Sequence, residues 1–112
     1  MRSVTYVITK PPGAIANETI DMILVSGVME QPTTVCFLQD GVYQLLQGDS
    51  KYRDTATKWS TLQSFDIENV FVDQQSLIDR QIDLKRLPSF VSVVDRAQFR
   101  HLLLNNDLIV ND

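Results

Sequence analysis

Residues 34–46 read Thr-Val-Cys-Phe-Leu-Gln-Asp-Gly-Val-Tyr-Gln-Leu-Leu, and this stretch decides the fold class. Its first part, Thr34–Leu38, is a short apolar run of strand length, without the regular polar–apolar alternation of a half-exposed strand. A continuous apolar pattern of this kind is typical of strands that are buried on both faces in a parallel sheet covered by helices. Asp40–Gly41 then marks a turn, and Val42–Leu46 predicts a short helix.

The alternation of strands and helices extends along the whole chain. Further strands are predicted at Val4–Ile8, Val70–Val72, Phe90–Val94 and Leu108–Val110. Helical patterns lie between the strands: one from Asn17, one over Thr55–Phe65, one over Ser76–Arg80, and one from Asp95, its N-cap, to Leu104. This order predicts an α/β fold, specifically a three-layer α/β/α sandwich with a mostly parallel five-stranded sheet. Because there is no interdomain linker and no internal repeat, we expect residues 1–112 to form a single domain.

The composition limits the classes of function. With 44% hydrophobic and 21% charged residues, the 112-residue chain has the makeup of an ordinary globular protein. Its net charge of −4 lacks the basic footprint of nucleic-acid binding, so we expect no direct contact with nucleic acid. Cys36 is the single cysteine and His101 the single histidine, which excludes an internal disulfide and a Cys-rich zinc site. We therefore expect no metal and no cofactor.

The N-terminal residues give no sign of export. Residues 1–6, Met-Arg-Ser-Val-Thr-Tyr, lack the continuous apolar region of a signal peptide. The longest nearly apolar run is far shorter than the roughly 20 residues that a membrane helix needs. We expect a cytoplasmic protein without a membrane partner.

Cys36 is the one candidate nucleophile. It lies between Val35 and Phe37 inside an apolar strand. Burial disfavours the thiolate, which is the reactive form of cysteine, so this position predicts an inert core residue. The alternative is a thiol that can be reached at the end of the strand.

Two segments that follow strands are candidate contact regions with partner chains. Asp40 and Gly41 follow a strand directly, at the edge where open parallel sheets gather ligands. Asp40 either caps the following helix or lines a crevice or subunit interface, and we favour capping. Gly41 permits a tight turn. Tyr43 either points towards a partner or covers the core.

The second segment is the loop Pro11-Pro12-Gly13-Ala14, which follows the first strand. It has no phosphate-binding glycine motif, and its prolines remove backbone N–H donors that such a loop would need. We expect a stiff loop that contacts a neighbouring subunit.

Three further polar residues have structural explanations. Asn17 is the predicted N-cap of the first helix, and Glu18 and Asp21 would complement the dipole of its first turns. A pair of carboxylates could also perform acid–base chemistry, but the helix start explains them sufficiently. His101 is expected at the surface, because nothing in the sequence brings it to Cys36.

Several of these segments together resemble the DsrE/DsrF/TusC family. The strongest resemblance is the strand that runs into Asp40-Gly41-Val42-Tyr43-Gln44-Leu45-Leu46, which is similar to the signature of TusC-like and DsrF-like chains. Pro11-Pro12-Gly13, with the acidic residues that follow, is similar to the family's N-terminal segment. Phe65-Asp66-Ile67-Glu68 before the third strand and Ser76-Leu77 after it add to the resemblance.

The resemblance implies an accessory, non-catalytic subunit of a sulfur-relay complex. In this family three related subunits, two copies of each, form a hexamer that passes persulfide sulfur towards 2-thiolation of the wobble uridine in certain tRNAs. The implied partners are DsrE/TusD-like and DsrH/TusB-like subunits. The relaying cysteine lies on another subunit, after its third strand. The comparable residues here, Val72-Asp73-Gln74-Gln75, contain no cysteine, and Gln81 replaces a glycine that is typical of the family.

Three alternatives remain open from the sequence. The chain could be a sulfurtransferase that carries persulfide on Cys36 itself. It could be a DsrF-type subunit that serves intracellular sulfur oxidation. It could also be a stand-alone homo-oligomer with a binding role.

Overall fold

The five predicted strands form one sheet. The computed structural model describes residues 3–11, 13–28, 32–46, 58–61, 67, 69–105 and 108–111. Its strands are β1 (Val4–Ile8), β2 (Thr33–Phe37), β3 (Asn69–Asp73), β4 (Ser92–Val94) and β5 (Leu108–Asn111). They lie in the order β4–β3–β2–β1–β5, and every pairing in this sheet is parallel. The predicted α/β fold is therefore confirmed.

Helices pack against both faces of this sheet. The strand register aligns Tyr6 with Val35 and Val7 with Cys36, and neighbouring side chains along a strand point to opposite faces. Helix α1 (Ala14–Val28) packs buried Ile20 and Ile23 into the core that contains Tyr6 and Val35, which we call the first face. The later helix α3 (Arg96–Leu104) packs Phe99 into the cluster with Val7 and Cys36, on the second face.

Two helices begin earlier than the sequence predicted. Helix α1 begins at Ala14, so Asn17 lies inside it and is not its N-cap, and Glu18 lies beyond the first turn. The segment after β2 is a 3₁₀ helix over Gln39–Leu45, which starts three residues before Val42. Of the predicted helix Thr55–Phe65, the structure describes a helical turn at residues 58–61, and the rest of that prediction lies outside the described residues.

Aspartates start three of the helical elements. The Asp73 carboxylate accepts a hydrogen bond from the Ser76 backbone N–H at the start of α2 (Gln74–Asp79). The Asp83 carboxylate accepts a hydrogen bond from the Lys85 backbone N–H at the start of a second 3₁₀ helix, Leu84–Arg86. The predicted cap Asp95 is confirmed and forms a capping box with Gln98 at the start of α3. These three aspartates thus have a structural function at helix starts.

Helix α2 ends in a left-handed turn that has no glycine. The Gln81 backbone has φ of 53°, a conformation in which a side chain other than glycine is strained. The Gln81 N–H donates to the Ile78 carbonyl at 3.1 Å, and the Ile82 N–H donates to the Leu77 carbonyl at 3.0 Å, which is the Schellman pattern. Leu77 and Ile82 pack in the same core. Their packing in this core favours the strained turn.

Replacing Gln81 by glycine should stabilise the protein. Gln81→Gly removes the strain at φ 53° and adds backbone entropy to the unfolded chain, so we expect a net gain of about 0.5–1 kcal/mol in the free energy of unfolding. Urea denaturation measures this change. The matched control is Gln75→Gly at an exposed position of α2, which should lower the free energy of unfolding by about 1 kcal/mol. A loss of stability in Gln81→Gly would contradict the explanation.

Candidate functional site at the carboxyl edge of the sheet

The two candidate contact segments lie side by side. The loop after β1, which contains Pro11 and Gly13, and the 3₁₀ helix after β2 both leave the carboxyl edge of the sheet, because β1 and β2 are parallel neighbours. The Leu38 N–H donates to the Ile8 carbonyl at 3.0 Å, which joins the two strand ends. The structure therefore brings together two segments that the sequence identified separately.

Gly41 is needed because of a close approach between backbones. A Cβ atom at this position would lie 2.0 Å from the Ile8 carbonyl oxygen and 3.1 Å from the Thr9 backbone nitrogen. Gly41 is itself buried. Because only hydrogen fits there, the glycine allows the 3₁₀ helix to pack directly on the end of β1. Gly41 is therefore a buried packing residue, and its close contact with β1 holds the 3₁₀ helix beside the loop that follows β1.

Gln44 links the same helix to two other segments. Its Nε2 donates to the Lys10 carbonyl at 2.8 Å, and its Oε1 accepts a hydrogen bond from Trp59 Nε1 at 3.0 Å. Both Gln44 and Trp59 are fully buried, and the Trp59 ring packs edge-on against Phe37 with centroids 4.8 Å apart. Trp59 is therefore a core residue. The Gln44 amide therefore fixes the position of the loop that follows β1.

Asp40 does not cap the 3₁₀ helix. Leu38 occupies the N-cap position without a side-chain bond, and Asp40 lies within the first turn. Its Oδ1 instead accepts hydrogen bonds from Arg80 Nε at 3.2 Å and Nη2 at 3.1 Å. Asp40 stays 55% exposed in this pair, so its carboxylate remains on the surface of the carboxyl edge. The predicted capping role is wrong because the helix starts earlier than its apolar residues indicate.

Asp73 is the centre of a buried polar network at the end of β3. Its Oδ2 accepts hydrogen bonds from the Ser76 N–H at 3.1 Å and the Ser76 hydroxyl at 2.7 Å, and pairs with Arg96 Nη2 at 3.1 Å. The Ser76 oxygen accepts a hydrogen bond from the Gln39 N–H at 2.8 Å. The network joins the ends of β2 and β3 to the start of α3. Asp73 Oδ1 is buried and has no partner among the described residues.

The prediction that Cys36 is a core residue is confirmed. Its side chain is fully buried between β1 and β3 and packs with Val7, Val94 and Phe99. Burial raises the pKa of the thiol from 9.0 to about 12, because the low-dielectric core penalises the thiolate. At neutral pH the thiol is protonated and has no access to solvent.

The remaining candidate residues divide between surface and core. Pro11 and Gly13 are exposed, and Tyr43 is half-buried, whereas Pro12 lies outside the described residues. Asp40, Gly41, Tyr43 and the Pro11–Gly13 loop stay predicted partner contacts. His101 is exposed, as predicted, and its Nε2 lies 3.0 Å from the side-chain amide nitrogen of Asn105.

No metal-binding cluster of three or more histidine, cysteine, aspartate or glutamate side chains occurs in the part of the chain that the structure describes. No helix among these residues is both long and apolar enough to cross a membrane.

The sequence did not identify four residues of this edge: Gln44, Ser76, Arg80 and Arg96. Gln44 stands among apolar residues in Val42–Leu46, and a lone polar residue in such a run is a signal for a buried hydrogen bond. The ion pairs of Arg80 and Arg96 join residues far apart in sequence, so no local pattern could reveal them.

Comparison with known proteins relates the chain to one family. Residues 2–111 match the model of the DsrE/DsrF-like family. The TusC homologue of Vibrio vulnificus strain CMCP6 is 34% identical over 95% of both chains. The intracellular sulfur oxidation protein DsrF of Allochromatium vinosum is 30% identical over 88% of this chain and 87% of its own. The crystal structure of the YchN protein from E. coli superposes over the full length of both chains with a TM-score of 0.79, at 14% identity.

Adding a methyl group at Gly41 should disrupt the carboxyl edge. Gly41→Ala places a carbon 2.0 Å from the Ile8 oxygen, so the 3₁₀ helix must move, and we expect a loss of about 3 kcal/mol in the free energy of unfolding. Chemical denaturation measures it. Gly13→Ala is the matched control, because nothing lies within 4 Å of its added carbon and a change within about 0.5 kcal/mol is expected. Equal effects of the two substitutions would contradict this role.

The burial of Cys36 predicts low reactivity. With a pKa raised from 9.0 to about 12, the native thiol should react with iodoacetamide at pH 8 about a thousandfold more slowly than the unfolded chain. Mass spectrometry of the alkylated protein gives both rates.

The same shift predicts a dependence of stability on pH. Protonated Cys36 is favoured in the folded state, so this contribution is complete below pH 9 and is lost as the pH rises to about 12. The difference in unfolding free energy between wild type and Cys36→Ala should shrink over that range. A difference independent of pH would contradict the burial of the thiol.

Proposed function

The chain belongs to the DsrE/DsrF-like family, and on that premise we propose that it is a non-catalytic subunit of a sulfur-relay complex. Within this complex it supports persulfide transfer for 2-thiolation of the wobble uridine of tRNA. The whole of residues 1–112 acts as one domain in the cytoplasm. The chain holds cysteine-bearing sister subunits in position and contributes no nucleophile of its own.

The observation that carries this proposal is the state of the only thiol. Cys36 is fully buried, and its pKa is raised to about 12, whereas a persulfide carrier needs an accessible thiolate at neutral pH. A role in sulfur transfer without an accessible thiol is an architectural role. The similarity to proteins named TusC supports the choice of a sulfur-relay complex.

The end of β3 supports the same assignment. By the resemblance, the segment after the third strand is where a relaying subunit carries its cysteine, and the comparable residues here, Val72-Asp73-Gln74-Gln75, contain no cysteine but do contain Asp73. Its carboxylate is committed to Ser76 and Arg96 in a buried network, and therefore braces the turn. Persulfide sulfur is carried on a thiolate, and this segment offers a structural carboxylate and no thiol.

The partners of this role are DsrE/TusD-like and DsrH/TusB-like chains, in a heterohexamer. The carboxyl edge offers them an exposed polar surface: Asp40 with its Arg80 pair, next to exposed Pro11 and Gly13. Gly41 and Gln44 fix that surface from within the chain. A preorganised surface loses little conformational freedom on binding, which suits a scaffold.

A second candidate function keeps the architecture and changes the pathway. The 30% identity to an intracellular sulfur oxidation protein, DsrF, favours a subunit of the same kind that serves sulfur oxidation. The two functions differ in the final sulfur acceptor, which is tRNA in one case and the sulfur-oxidation machinery in the other.

We expect a cell that lacks this chain to lose 2-thiouridine from its tRNAs. Wild type and Cys36→Ala should both restore it to at least about half of the normal level, because the thiol is a core residue whose loss costs stability only. Nucleoside mass spectrometry measures the modified base. Co-expression with the sister subunits, followed by size-exclusion chromatography with light scattering, should give a heterohexamer that contains the chain.

Three results would change the assignment. If Cys36→Ala folds and assembles but fails to restore thiolation, Cys36 is itself the sulfur carrier. If thiolation is unaffected by loss of the chain while sulfur oxidation stops, the second candidate function is correct. A wild-type chain that remains monomeric beside its sister subunits would contradict both architectural functions.

A further inference from the structure

The outer surface of helix α1 is acidic and apolar. Ile20 and Ile23 bury the inner side of this helix in the core of the first face. The opposite side presents four exposed residues at the spacing i, i+3, i+4, i+7, which places them on one helix face: Glu18, Asp21, Met22 and Val25. The side chains of Met22 and Val25 are 52% and 61% exposed. We call these four residues the α1 face.

The outer surface of helix α3 is basic and apolar. Phe99 buries the inner side of this helix in the core of the second face. The exposed residues of the outer side have the same spacing i, i+3, i+4, i+7 and share one helix face: Ala97, Arg100, His101 and Leu104. Leu104 is 78% exposed. We call these four residues the α3 face.

The charges of the two faces are opposite and available. Glu18 and Asp21 have no ion-pair partner among the residues that the structure describes, and the same holds for Arg100. Helix α1 contains no basic residue, and helix α3 contains no acidic residue. Each face therefore offers charge of one sign beside exposed apolar side chains. This combination makes each face complementary to the other.

One chain cannot bring its own two faces together. Helix α1 packs on the first face of the sheet and α3 on the second, so the sheet lies between them. Both outer surfaces are directed away from the sheet, on opposite sides of the molecule. The α1 face of one copy can therefore contact only the α3 face of another copy.

The directions of the two helices favour such a contact. Because all five strands are parallel, α1 and α3 both run from the carboxyl edge of the sheet back to its amino edge. Two copies stacked in the same orientation therefore place the two faces side by side with their helices parallel. The equal spacing then puts Asp21 opposite Arg100 and Val25 opposite Leu104. A pair of opposite charges lies one helical turn from an apolar pair.

Contact between two identical faces is unfavourable. Two α1 faces would bring Glu18 and Asp21 of one copy beside the same carboxylates of the other. Two α3 faces would bring Arg100 beside a second Arg100. Like charges that face each other across an interface oppose binding. An α1 face on an α3 face avoids both repulsions.

We propose that the α1 face binds the α3 face of a second copy of this chain. The contact is heterologous, so each bound pair keeps one open face of each kind unless a ring closes. The inference goes beyond the proposed function, since the carboxyl edge is the surface proposed for the sister subunits. The contact between copies uses the outer surfaces of the two helical layers instead.

One apolar substitution on each face tests the contact in the full chain. Val25→Arg and Leu104→Arg each place a long charged side chain at an exposed position and keep a good helix former. In sedimentation velocity at about 0.15 M salt and up to about 1 mM protein, the wild type should form species larger than a dimer. Each variant should associate with itself at least about tenfold more weakly.

The matched control is Ile78→Arg. Ile78 is an apolar residue on α2 that is 60% exposed and belongs to neither face. Its replacement by arginine makes the same chemical change at a similar exposure. We expect self-association to stay within about twofold of the wild type.

A mixture of the two variants tests the heterologous geometry. The Leu104→Arg chain keeps an intact α1 face, and the Val25→Arg chain keeps an intact α3 face. An equimolar mixture should therefore form a one-to-one dimer and nothing larger. If identical faces bound each other, one of the two variants would still associate with itself, and mixing would add no new species. That result would overturn the proposal.

Exchange of the charged pair provides an independent test. Asp21→Arg and Arg100→Asp should each weaken self-association at least about fivefold, because like charges then face each other. The chain with both substitutions should recover to within about twofold of the wild type, because the pair is restored with its signs reversed. Since α1 and α3 of one chain lie on opposite faces of the sheet, such a recovery arises between copies.

The outcomes separate this inference from the proposed function. A wild type that stays monomeric on its own, or folded Val25→Arg and Leu104→Arg that associate as the wild type does, would overturn the inference and leave the proposed function intact. Loss of sister-subunit binding in these variants, without self-association of the wild type, would identify a sister subunit as the occupant and overturn the second copy. Circular dichroism establishes folding, and the charge exchange tests the contact if an arginine variant does not fold.

Discussion

The packing of the 3₁₀ helix on the end of β1 is the contact on which the carboxyl edge depends. Gly41 lies so close to the Ile8 carbonyl that no side chain fits, and the buried Gln44 amide then bonds to Lys10 and Trp59. These are backbone and buried polar contacts, which are costly to leave unsatisfied, so the geometry has little freedom. The exposed residues of this edge, Pro11, Gly13 and Asp40, keep their positions because of the residues beneath them.

The end of β3 provides a second fixed point on the same edge. Asp73 joins β2, β3 and α3 through Ser76, Gln39 and Arg96. Breaking such a network by removing one member leaves buried polar groups without partners, which costs more than the bond itself. The buried Asp73 carboxylate therefore holds three chain segments together. The two fixed points restrict how the segments of this edge can move relative to one another.

The burial of the central strands in this parallel sheet also determines the reactivity of the Cys36 thiol. Cys36 lies on a central strand with neighbours on both sides, so packing on the second face removes it from water and raises its pKa to about 12. The same face is open farther along, where Phe71, Val94 and residues of α3 line a groove beside β4. One face thus contains a buried thiol where α3 covers it and an open groove where α3 does not. The extent of α3 over the sheet decides which part of this face is covered and which part is open.

The sequence by itself determined the α/β class, the five strands and the burial of Cys36, because continuous apolar runs report strands covered on both faces. It also determined Asp95 as a helix cap, since a cap and its helix are adjacent in the chain. Local patterns failed at Asp40 and Asn17, where the helices extend beyond their apolar residues.

Only the tertiary structure decided the strand order, the reason for Gly41, and the pairs Asp40–Arg80 and Asp73–Arg96. These features join residues that are distant in sequence. Their energies depend on distances between segments. These distances are set only when the sheet brings the segments together, so a local sequence pattern does not contain them.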